Sequence, residues 1–536
     1  MVAATTAGVL GITGACLAAL TGEQAASAGA TTISWGACAD ETLSTVGAKC
    51  GFVTVPLDWS KPAGKKIKVR VSKVAAKSTA SKRQGVMLVN PGGPGGSGLV
   101  WPAILQGAVP GGVGKTYDWI GWDPRGVGES RPALSCDPDY FVGPRPAYAL
   151  AKNPATVLPS ETAWIKKTKA YVKACAKNGD LLAHVKSADT VRDMDAIRAA
   201  LGESKINYYG FSYGTFLGQA YATRYPDRVR RIVLDGNVAP TYPGYGDGGR
   251  GQMVGFEGVM QEFFAWIARY DKIYGLGDTK AEVEKKYYAE LAHLTREPKY
   301  GVGPSELTDV FLLAGYSESR WTQVAAAFAD ILDGNTTAMQ VLYQAGATPG
   351  DDNSFAAFNA TLCTDGPFPK SYAKVRKDGY QIAKVAPSVI WGSYWFSQPC
   401  TFWPTPAGTP LKIDGSKIKN MLLVNGTKDG ATPYSGALAV RTAFPHAALL
   451  AEIGATTHAG SLRGNKCVDS IIADYLSTGA LPVRLSGTRA DVRCARGPMP
   501  VPSSLDRSQE RRSGGLLGET GLIGALLENL TTGARR

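Results

Sequence analysis

The most constraining feature of this 536-residue chain is a pentapeptide in which two glycines flank a serine. The segment Gly210–Gly214 reads GFSYG; it follows a short apolar run at 206–209 and precedes a helical apolar run at 216–221. A serine on a tight strand-to-helix turn leaves no room for side chains beside it, so glycine is needed on both sides. The sequence therefore predicts a sheet with Ser212 exposed at the end of one strand, placed to act as a nucleophile.

The rest of the chain alternates short apolar strands with helices, which is the pattern of a mostly parallel α/β sheet. Apolar residues at three-to-four spacing predict a helix over Ser187–Leu201, with Ser187 as its N-cap. Apolar runs predict buried strands at 86–89, 118–123, 206–209, 232–235, 421–425 and 449–453.

A change of rhythm between residues 241 and 395 interrupts the predicted sheet domain. This segment is rich in aromatic residues and helical periodicity, and it lacks the strand-turn-helix repeat. We therefore expect a sheet domain in two parts, 29–240 and 396–496, with a helical cap inserted at 241–395. The Ser-, Gly- and Arg-rich end at 497–536 is expected to be a flexible tail.

A serine hydroxyl needs a general base, which is ordinarily a histidine oriented by a carboxylate. On this kind of elbow the acid and then the histidine follow the serine along the chain. Of the four histidines, His458 lies beyond a predicted strand at its carboxyl end and is the preferred base, whereas His446 precedes that strand. Asp429 follows the strand 421–425 in the same way and is the preferred acid, with Asp235 as the fallback.

A tetrahedral intermediate needs backbone N–H groups aimed at its oxyanion. We predict that one donor is the amide of Tyr213, directly after the serine. The other should come from the glycine-rich loop 90–98, where Gly93 is the first choice and Gly95 the second because the prolines of the loop have no N–H. The loop lacks the Gly-Lys-Ser/Thr ending of a nucleotide-binding loop, so no cofactor is expected.

The first 28 residues are small and apolar and end in Ala26-Ser27-Ala28, which is typical of a cleaved signal peptide. Removing this leader with Cys16 leaves eight of the nine cysteines, an even number that indicates disulfides in a secreted, extracellular protein. We expect neighbours along the chain to pair, among Cys38, Cys50, Cys136, Cys175, Cys363, Cys400, Cys467 and Cys494.

A net charge of +13 raises the question of nucleic-acid or membrane binding. The lysines and arginines are scattered, and they do not alternate with aromatic residues as single-strand binders require. The apolar run near the start is too short to span a bilayer comfortably, and no cysteine or histidine spacing suggests zinc. We expect a monomer that acts on peptides, without nucleic acid, stable membrane association, metal or cofactor.

Four motifs carry a family resemblance: 90–98 (NPGGPGGSG), 123–128 (DPRGVG), 208–215 (YYGFSYGT) and 426–433 (GTKDGATP). Together they resemble the secreted tripeptidyl aminopeptidases of actinobacteria, which have the α/β-hydrolase fold and stand beside prolyl aminopeptidases. The resemblance runs from about residue 33 to residue 494. It implies an exopeptidase with the triad Ser212, Asp429 and His458 under a helical cap. The family usually has glycine before the histidine, where this chain has Thr457.

An aminopeptidase must distinguish a charged N-terminus from an internal peptide bond, and a carboxylate beneath the cap would do so. The candidates are Asp365, Glu257 and Glu262. Asp365 ranks first because the resembling family has a similar Cys-x-Asp and because a disulfide at Cys363 would hold the loop rigid.

Two other functions remain open at this point. One is an esterase or amidase acting on small secondary metabolites, since one fold hosts many chemistries. The other is a binding protein that retains the scaffold without catalysis. An intact serine, acid and histidine argue against the binding protein, in which a fluorophosphonate would leave Ser212 unlabelled.

Overall fold

The computed structural model describes residues 32–142, 145–345 and 350–502. The predicted signal peptide at 1–28 and residues 503–536 of the predicted tail lie outside these ranges. Within them, the strands are β1 (Gly36–Ala37), β2 (Lys49–Pro56), β3 (Lys66–Val74), β4 (Val86–Asn90), β5 (Asp118–Trp122), β6 (Ile206–Phe211), β7 (Val229–Asp235), β8 (Met421–Gly426), β9 (Ala448–Ile453) and β10 (Val492–Ala495).

These strands form one sheet in the order β1-β2-β3-β5-β4-β6-β7-β8-β9-β10. Every pairing from β5 across to β10 is parallel. The pairings β1–β2, β2–β3 and β3–β5 at the other edge are antiparallel. The mostly parallel α/β sheet is confirmed, and the antiparallel edge is an addition that the sequence analysis did not identify.

Successive residues of the central strands belong to two different hydrophobic cores. Val86 and Leu88 of β4 pack into one core, and Met87 and Val89 pack into the other. Side chains alternate across a strand, so a strand with helices on both faces must be apolar at every position. This is why the central strands read as unbroken apolar runs.

The described residues contain the following α-helices: α1 (Glu41–Thr45), α2 (Trp101–Ala108), α3 (Pro159–Cys175), α4 (Ser187–Ala200), α5 (Tyr213–Arg224), α6 (Asp247–Arg269), α7 (Asp271–Tyr274), α8 (Lys280–Arg296), α9 (Pro304–Tyr316), α10 (Trp321–Leu332), α11 (Thr337–Gln344), α12 (Asn353–Asp365), α13 (Tyr372–Ala383), α14 (Ile390–Ser397), α15 (Pro399–Phe402), α16 (Tyr434–Ala443) and α17 (Lys466–Thr478). Helices α2 and α17 cover one face of the sheet, while α4, α5 and α16 cover the other. None of the helices in the described ranges is long and apolar enough to cross a membrane.

Helices α6 to α15 are inserted between β7 and β8, which are neighbours in the sheet. The first helices of this insertion share a core of their own. In this core the ring of Phe263 packs against the rings of Phe311 and Trp321. The later helices pack instead with the sheet domain: Trp395 of α14 stacks on Trp164 of α3. The predicted insertion at 241–395 therefore holds two packing environments.

The eight cysteines form four disulfides between neighbours along the chain, as the sequence analysis expected: Cys38–Cys50, Cys136–Cys175, Cys363–Cys400 and Cys467–Cys494. The third of these joins α12 to α15. Four disulfides fit an oxidising compartment.

The start of the predicted tail is held against the insertion. Met499 packs on the core of the insertion, and the Trp266 indole N–H donates to the Pro500 carbonyl at 3.0 Å. An apolar contact and a hydrogen bond therefore hold Met499 and Pro500 on the insertion. The flexible tail at 497–536 stays a prediction.

Candidate active site

Ser212 occupies the turn between β6 and α5, with φ 52° and ψ −126°. A non-glycine residue at positive φ is strained and persists only when its surroundings fix it. Here the Ser212 amide donates to the Asp235 carbonyl at 3.0 Å, and the Ser212 carbonyl accepts from the Thr215 amide at 2.8 Å. The turn has the strand-turn-helix geometry that the pentapeptide predicts.

Close packing requires both glycines of the pentapeptide. A Cβ on Gly210 would lie 2.6 Å from the Gly214 carbonyl oxygen, and a Cβ on Gly214 would collide with the Asn90 carbonyl oxygen. Neither position has room for a side chain, because in both cases a backbone oxygen would lie too close to the added Cβ.

His458 and Asp429 form a buried pair at the carboxyl ends of β9 and β8. The Nδ1 of His458 lies 2.9 Å from Oδ2 and 3.1 Å from Oδ1 of Asp429, and both side chains are buried. A neutral ring bonded in this way carries its proton on Nδ1 and leaves Nε2 to accept one. Within the described chain Nε2 has no hydrogen-bond partner. The pair has the chemistry of an oriented general base.

The loop after β8 holds the Asp429 carboxylate in place. Its Oδ1 accepts from the amides of Ala431 at 2.9 Å and Thr432 at 3.0 Å, and its Oδ2 accepts from the Thr432 hydroxyl at 2.8 Å. The same hydroxyl lies 3.2 Å from His458 Nδ1. Thr432 was not predicted as a site residue from the sequence, although an aspartate that accepts from the amide two residues on is a recognisable turn signal.

The turn after β7 brings the nucleophile and the base together. The Asp235 carbonyl accepts the Ser212 amide, and a Cβ on the next residue, Gly236, would lie 2.9 Å from His458 Cε1. Gly236 has φ 69°, a backbone conformation that glycine adopts more readily than any other residue. One dipeptide thus contacts both Ser212 and His458.

Asp235 and His446, the alternative acid and base, are placed elsewhere. The Asp235 carboxylate accepts from the Ser461 amide at 2.8 Å, and burial raises its pKa to about 6. It therefore supports the loop beyond His458, while Asp429 contacts the imidazole. His446 is exposed, just before β9.

The predicted oxyanion donors lie on the two loops that meet beside Ser212. Within the described residues neither the Tyr213 nor the Gly93 amide donates a hydrogen bond to the protein. Tyr213 is the first residue of α5, where helix amides have no intrahelical partner. Neither N–H group is therefore committed to an acceptor among the described residues.

Glycine is needed at two further points of the glycine-rich loop. A Cβ on Gly92 would lie 2.6 Å from the Tyr213 nitrogen, and a Cβ on Gly95 would lie 2.7 Å from the Ser354 carbonyl oxygen at the start of α12. Both glycines have positive φ. Gly92 was not identified as a site residue from sequence, and Gly95 contacts the insertion.

Asp365, the first candidate for binding a substrate amine, lies at the end of α12 against Tyr213. Its Oδ2 accepts from the Tyr213 hydroxyl at 2.5 Å and its Oδ1 accepts from the Ser187 amide at 2.6 Å. Burial raises the pKa of the Asp365 carboxyl.

Ser187 is not the N-cap of α4 as predicted: it is the first helical residue, and its hydroxyl lies 2.9 Å from the Tyr213 hydroxyl. The Asp365 carboxylate, which belongs to the insertion, caps α4 instead, because it accepts from the Ser187 amide that has no partner within the helix.

The other two candidate acids are engaged within or at the edge of the insertion. Glu257 is buried, and its carboxylate accepts from the Ser388 amide and hydroxyl at 2.9 and 2.7 Å. Glu262 is half exposed and pairs with Lys428 at 2.5 Å. The described residues contain no group of three or more His, Cys, Asp or Glu that could hold a metal ion.

Comparison with known proteins places this geometry in a family. Residues 85–461 match the model of the alpha/beta hydrolase fold. A tripeptidyl aminopeptidase of Streptomyces coelicolor is 37% identical over 90% of this chain and 89% of its own length. The serine protease Hip1 of Mycobacterium tuberculosis is 30% identical over 81% of this chain and 86% of its own. A carboxylesterase B of the same organism is 33% identical over 84% of this chain and 88% of its own.

Among solved structures, a variant of a meta-cleavage product hydrolase aligns over 77% of this chain, with 14% identity and a TM-score of 0.35. The family assignment depends on the matched family model and on the sequence relatives that align over most of this chain. The chain belongs to the α/β-hydrolase family, in the same group as the tripeptidyl aminopeptidases of Streptomyces.

Proposed function

We propose that this protein is a secreted serine exopeptidase that releases short peptides, most simply tripeptides, from free N-termini. Ser212 is the nucleophile, His458 the general base and Asp429 the group that orients it. The amides of Tyr213 and Gly93 bind the oxyanion.

The reaction proceeds through an acyl-enzyme. The Ser212 hydroxyl attacks the scissile carbonyl carbon while His458 Nε2 takes the hydroxyl proton. The resulting oxyanion accepts from the amides of Tyr213 and Gly93. When the intermediate collapses, the C–N bond breaks and His458 returns the proton to the leaving amine. Water then attacks the ester with His458 again as base, which releases the peptide acid and restores Ser212.

The observation that carries the proposal is the buried contact between His458 and Asp429 beside the strained Ser212 turn. A nucleophile on a strained turn, a base whose Nε2 has no hydrogen-bond partner among the described residues and an acid on the base are the recognisable parts of this chemistry. The relatives named tripeptidyl aminopeptidase and serine protease favour a peptide substrate.

Recognition of the substrate amine is proposed for Asp365, with Glu257 and Glu262 as weaker candidates. Asp365 lies one hydrogen bond from Tyr213, the residue after the nucleophile. A carboxylate oxygen has two lone pairs, so Asp365 can accept from an ammonium group while it keeps its internal partners. Glu257 is committed to Ser388, and Glu262 to Lys428.

Secretion as a monomer without nucleic-acid or membrane partners is part of the proposal. The secretion is supported by the leader-like residues 1–28 and by the four disulfides. Thiol titration of the denatured, unreduced mature protein should find less than one free thiol per chain. Two or more free thiols would contradict the pairing.

A carboxylesterase is the second candidate, because a relative of that name is 33% identical. The same triad hydrolyses esters, and the two functions differ in which substrates the cap admits.

A panel of chromogenic substrates separates the two functions: p-nitroanilides of one, two and three residues with free or acetylated amines, beside p-nitrophenyl acyl esters. The exopeptidase should prefer the free-amine tripeptide anilide to its acetylated twin. Turnover of simple esters alone would favour the esterase, and Ser212→Ala should abolish every activity in the panel.

A further inference from the structure

The turn that follows α9 in the insertion contacts the loop that carries the candidate base. We call residues 316–318 the cap turn and residues 454–461 the histidine loop. The His458 amide donates to the Tyr316 carbonyl at 2.9 Å, and the Glu318 amide donates to the Thr457 hydroxyl at 3.2 Å. The rings of Tyr316 and His458 pack edge to face at 5.7 Å. Thr457 is thus one of the contacts.

The Glu318 side chain makes the strongest of these contacts. Its Oε1 accepts from the Thr456 amide at 2.9 Å and from the Thr456 hydroxyl at 2.6 Å. Its Oε2 pairs with Arg496 at 2.5 Å, and the side chain is only 13% exposed. Charge-assisted bonds in a site sheltered from water are stronger than exposed ones. Glu318 therefore fixes the histidine loop two residues before the base.

The histidine loop needs such support because its backbone is strained. Ala459, directly after His458, has φ 50°, and Leu462, the residue that follows the loop, has φ 60°. Non-glycine residues hold these values only when surrounding contacts over-determine them. On the sheet side, Asp235 binds the Ser461 amide, and on the cap side Glu318 binds Thr456.

We propose that Glu318 is a positioning residue: its carboxylate holds the histidine loop on the cap turn so that His458 keeps its contact with Asp429 and its alignment with Ser212. The insertion thereby sets the geometry of the base in addition to covering the site. The proposal rests on the roles proposed for Ser212 and His458.

The test is the rate at which a fluorophosphonate labels Ser212, which depends on the base but not on the class of substrate. We expect Glu318→Ala to label about tenfold to a hundredfold more slowly, because small displacements of a catalytic group have effects of this size. Glu318→Gln keeps an oxygen that accepts from Thr456 and should stay within about threefold of the parent. In peptide turnover, kcat should fall with the labelling rate while KM changes little.

Asp491→Ala is the matched control, since Asp491 also pairs with an arginine and binds β9, but at the opposite end of the strand. Asp491 accepts from Arg441 at 2.6 Å and from the Leu449 amide at 2.7 Å. This variant should lose thermal stability and keep the parental labelling rate. If Glu318→Ala and Asp491→Ala both label more slowly, in proportion to their loss of melting temperature, then Glu318 has only a structural role.

If Glu318→Ala does not fold, Thr456→Val decides, because it removes only the hydroxyl that donates to Glu318. It should label several-fold more slowly than Thr456→Ser, which keeps the hydroxyl. A parental rate in Thr456→Val, or in folded Glu318→Ala, overturns the proposal. Failure of the parent protein to label at Ser212 would instead overturn the proposed function.

Discussion

The loops at the carboxyl ends of the strands and the helical insertion hold their acidic residues in different ways. Asp429 is fixed by amides two and three residues further along its own loop. Asp365 and Glu318 are fixed by groups more than a hundred residues away: Ser187 and Tyr213 for the first, Thr456 for the second. The acid of the triad is thus held by its own turn, whereas these two acids of the insertion act through long-range contacts. Asp235 is a strand-end acid that is also held at long range, by Ser461.

The largest expected effect tests the strand-end loops. Ser212→Ala and His458→Ala should each lower turnover by about 10⁴-fold or more, because members of a triad act as a unit. Stopped or continuous assays with the preferred anilide measure the loss, and circular dichroism shows whether the fold is kept. Folded variants with turnover within tenfold of the parent would remove the residue from the triad.

The next effect separates the two acids near the base. Asp429→Asn should lower kcat by about 10⁴-fold, because an amide in place of the carboxylate favours the wrong imidazole tautomer. Asp235→Asn keeps the Asp429 contact and should lose much less activity. Near-normal turnover of purified Asp429→Asn together with a severe loss in Asp235→Asn would exchange the two roles.

A smaller effect concerns the insertion. If Asp365 binds the substrate amine, Asp365→Asn should lower kcat/KM for a free-amine tripeptide anilide by about tenfold to a hundredfold, since a lost charge-assisted bond costs about 1–3 kcal/mol. The acetylated twin should be turned over as by the parent. Equal losses on both substrates would mean that Asp365 acts only through Tyr213 and Ser187, and equal activity would remove it from the site.

The smallest effect is a pH dependence of stability at another strand end. Burial raises the pKa of Asp123 to about 6, and its carboxylate accepts from the Ser97 hydroxyl and the amides of Gly98 and Glu129. A carboxyl whose pKa is raised in the folded protein stabilises it below about pH 4, and this contribution is lost as the pH rises through 6.

Melting temperatures of the parent and of Asp123→Asn from pH 4 to pH 7 measure this contribution. The deficit of the variant should shrink between pH 4 and pH 6 and then stay constant. A deficit that grows over this interval would mean that the ionised carboxylate is the stabilising form.

Local patterns predicted the sheet-borne part of the site. Apolar runs indicated the parallel strands, and the order of Ser212, Asp429 and His458 indicated residues that lie beyond the carboxyl ends of β6, β8 and β9. The strand β2 was not predicted, because its residues Lys49–Pro56 alternate between buried and more exposed positions and form no unbroken apolar run. A strand near a sheet edge has no such run.

Contacts across the chain explain most of what the sequence analysis did not predict. Nothing in the residues around Glu318 indicates Thr456 as a partner, and Ser187 was assigned as a cap from its neighbours alone. The capping propensity of a serine applies when the hydrogen-bond partners come from neighbouring residues in the sequence. A carboxylate arriving from another part of the chain overrides it, as Asp365 does at the start of α4.

The position of the Ser212 turn has one more consequence. Helix α5 begins at Tyr213, directly after the nucleophile, and continues for twelve residues. The aligned peptide dipoles of a helix are equivalent to about half a positive charge at its first turn. Negative charge that develops on a substrate carbonyl would therefore form in a field already oriented to stabilise it, before any side chain moves.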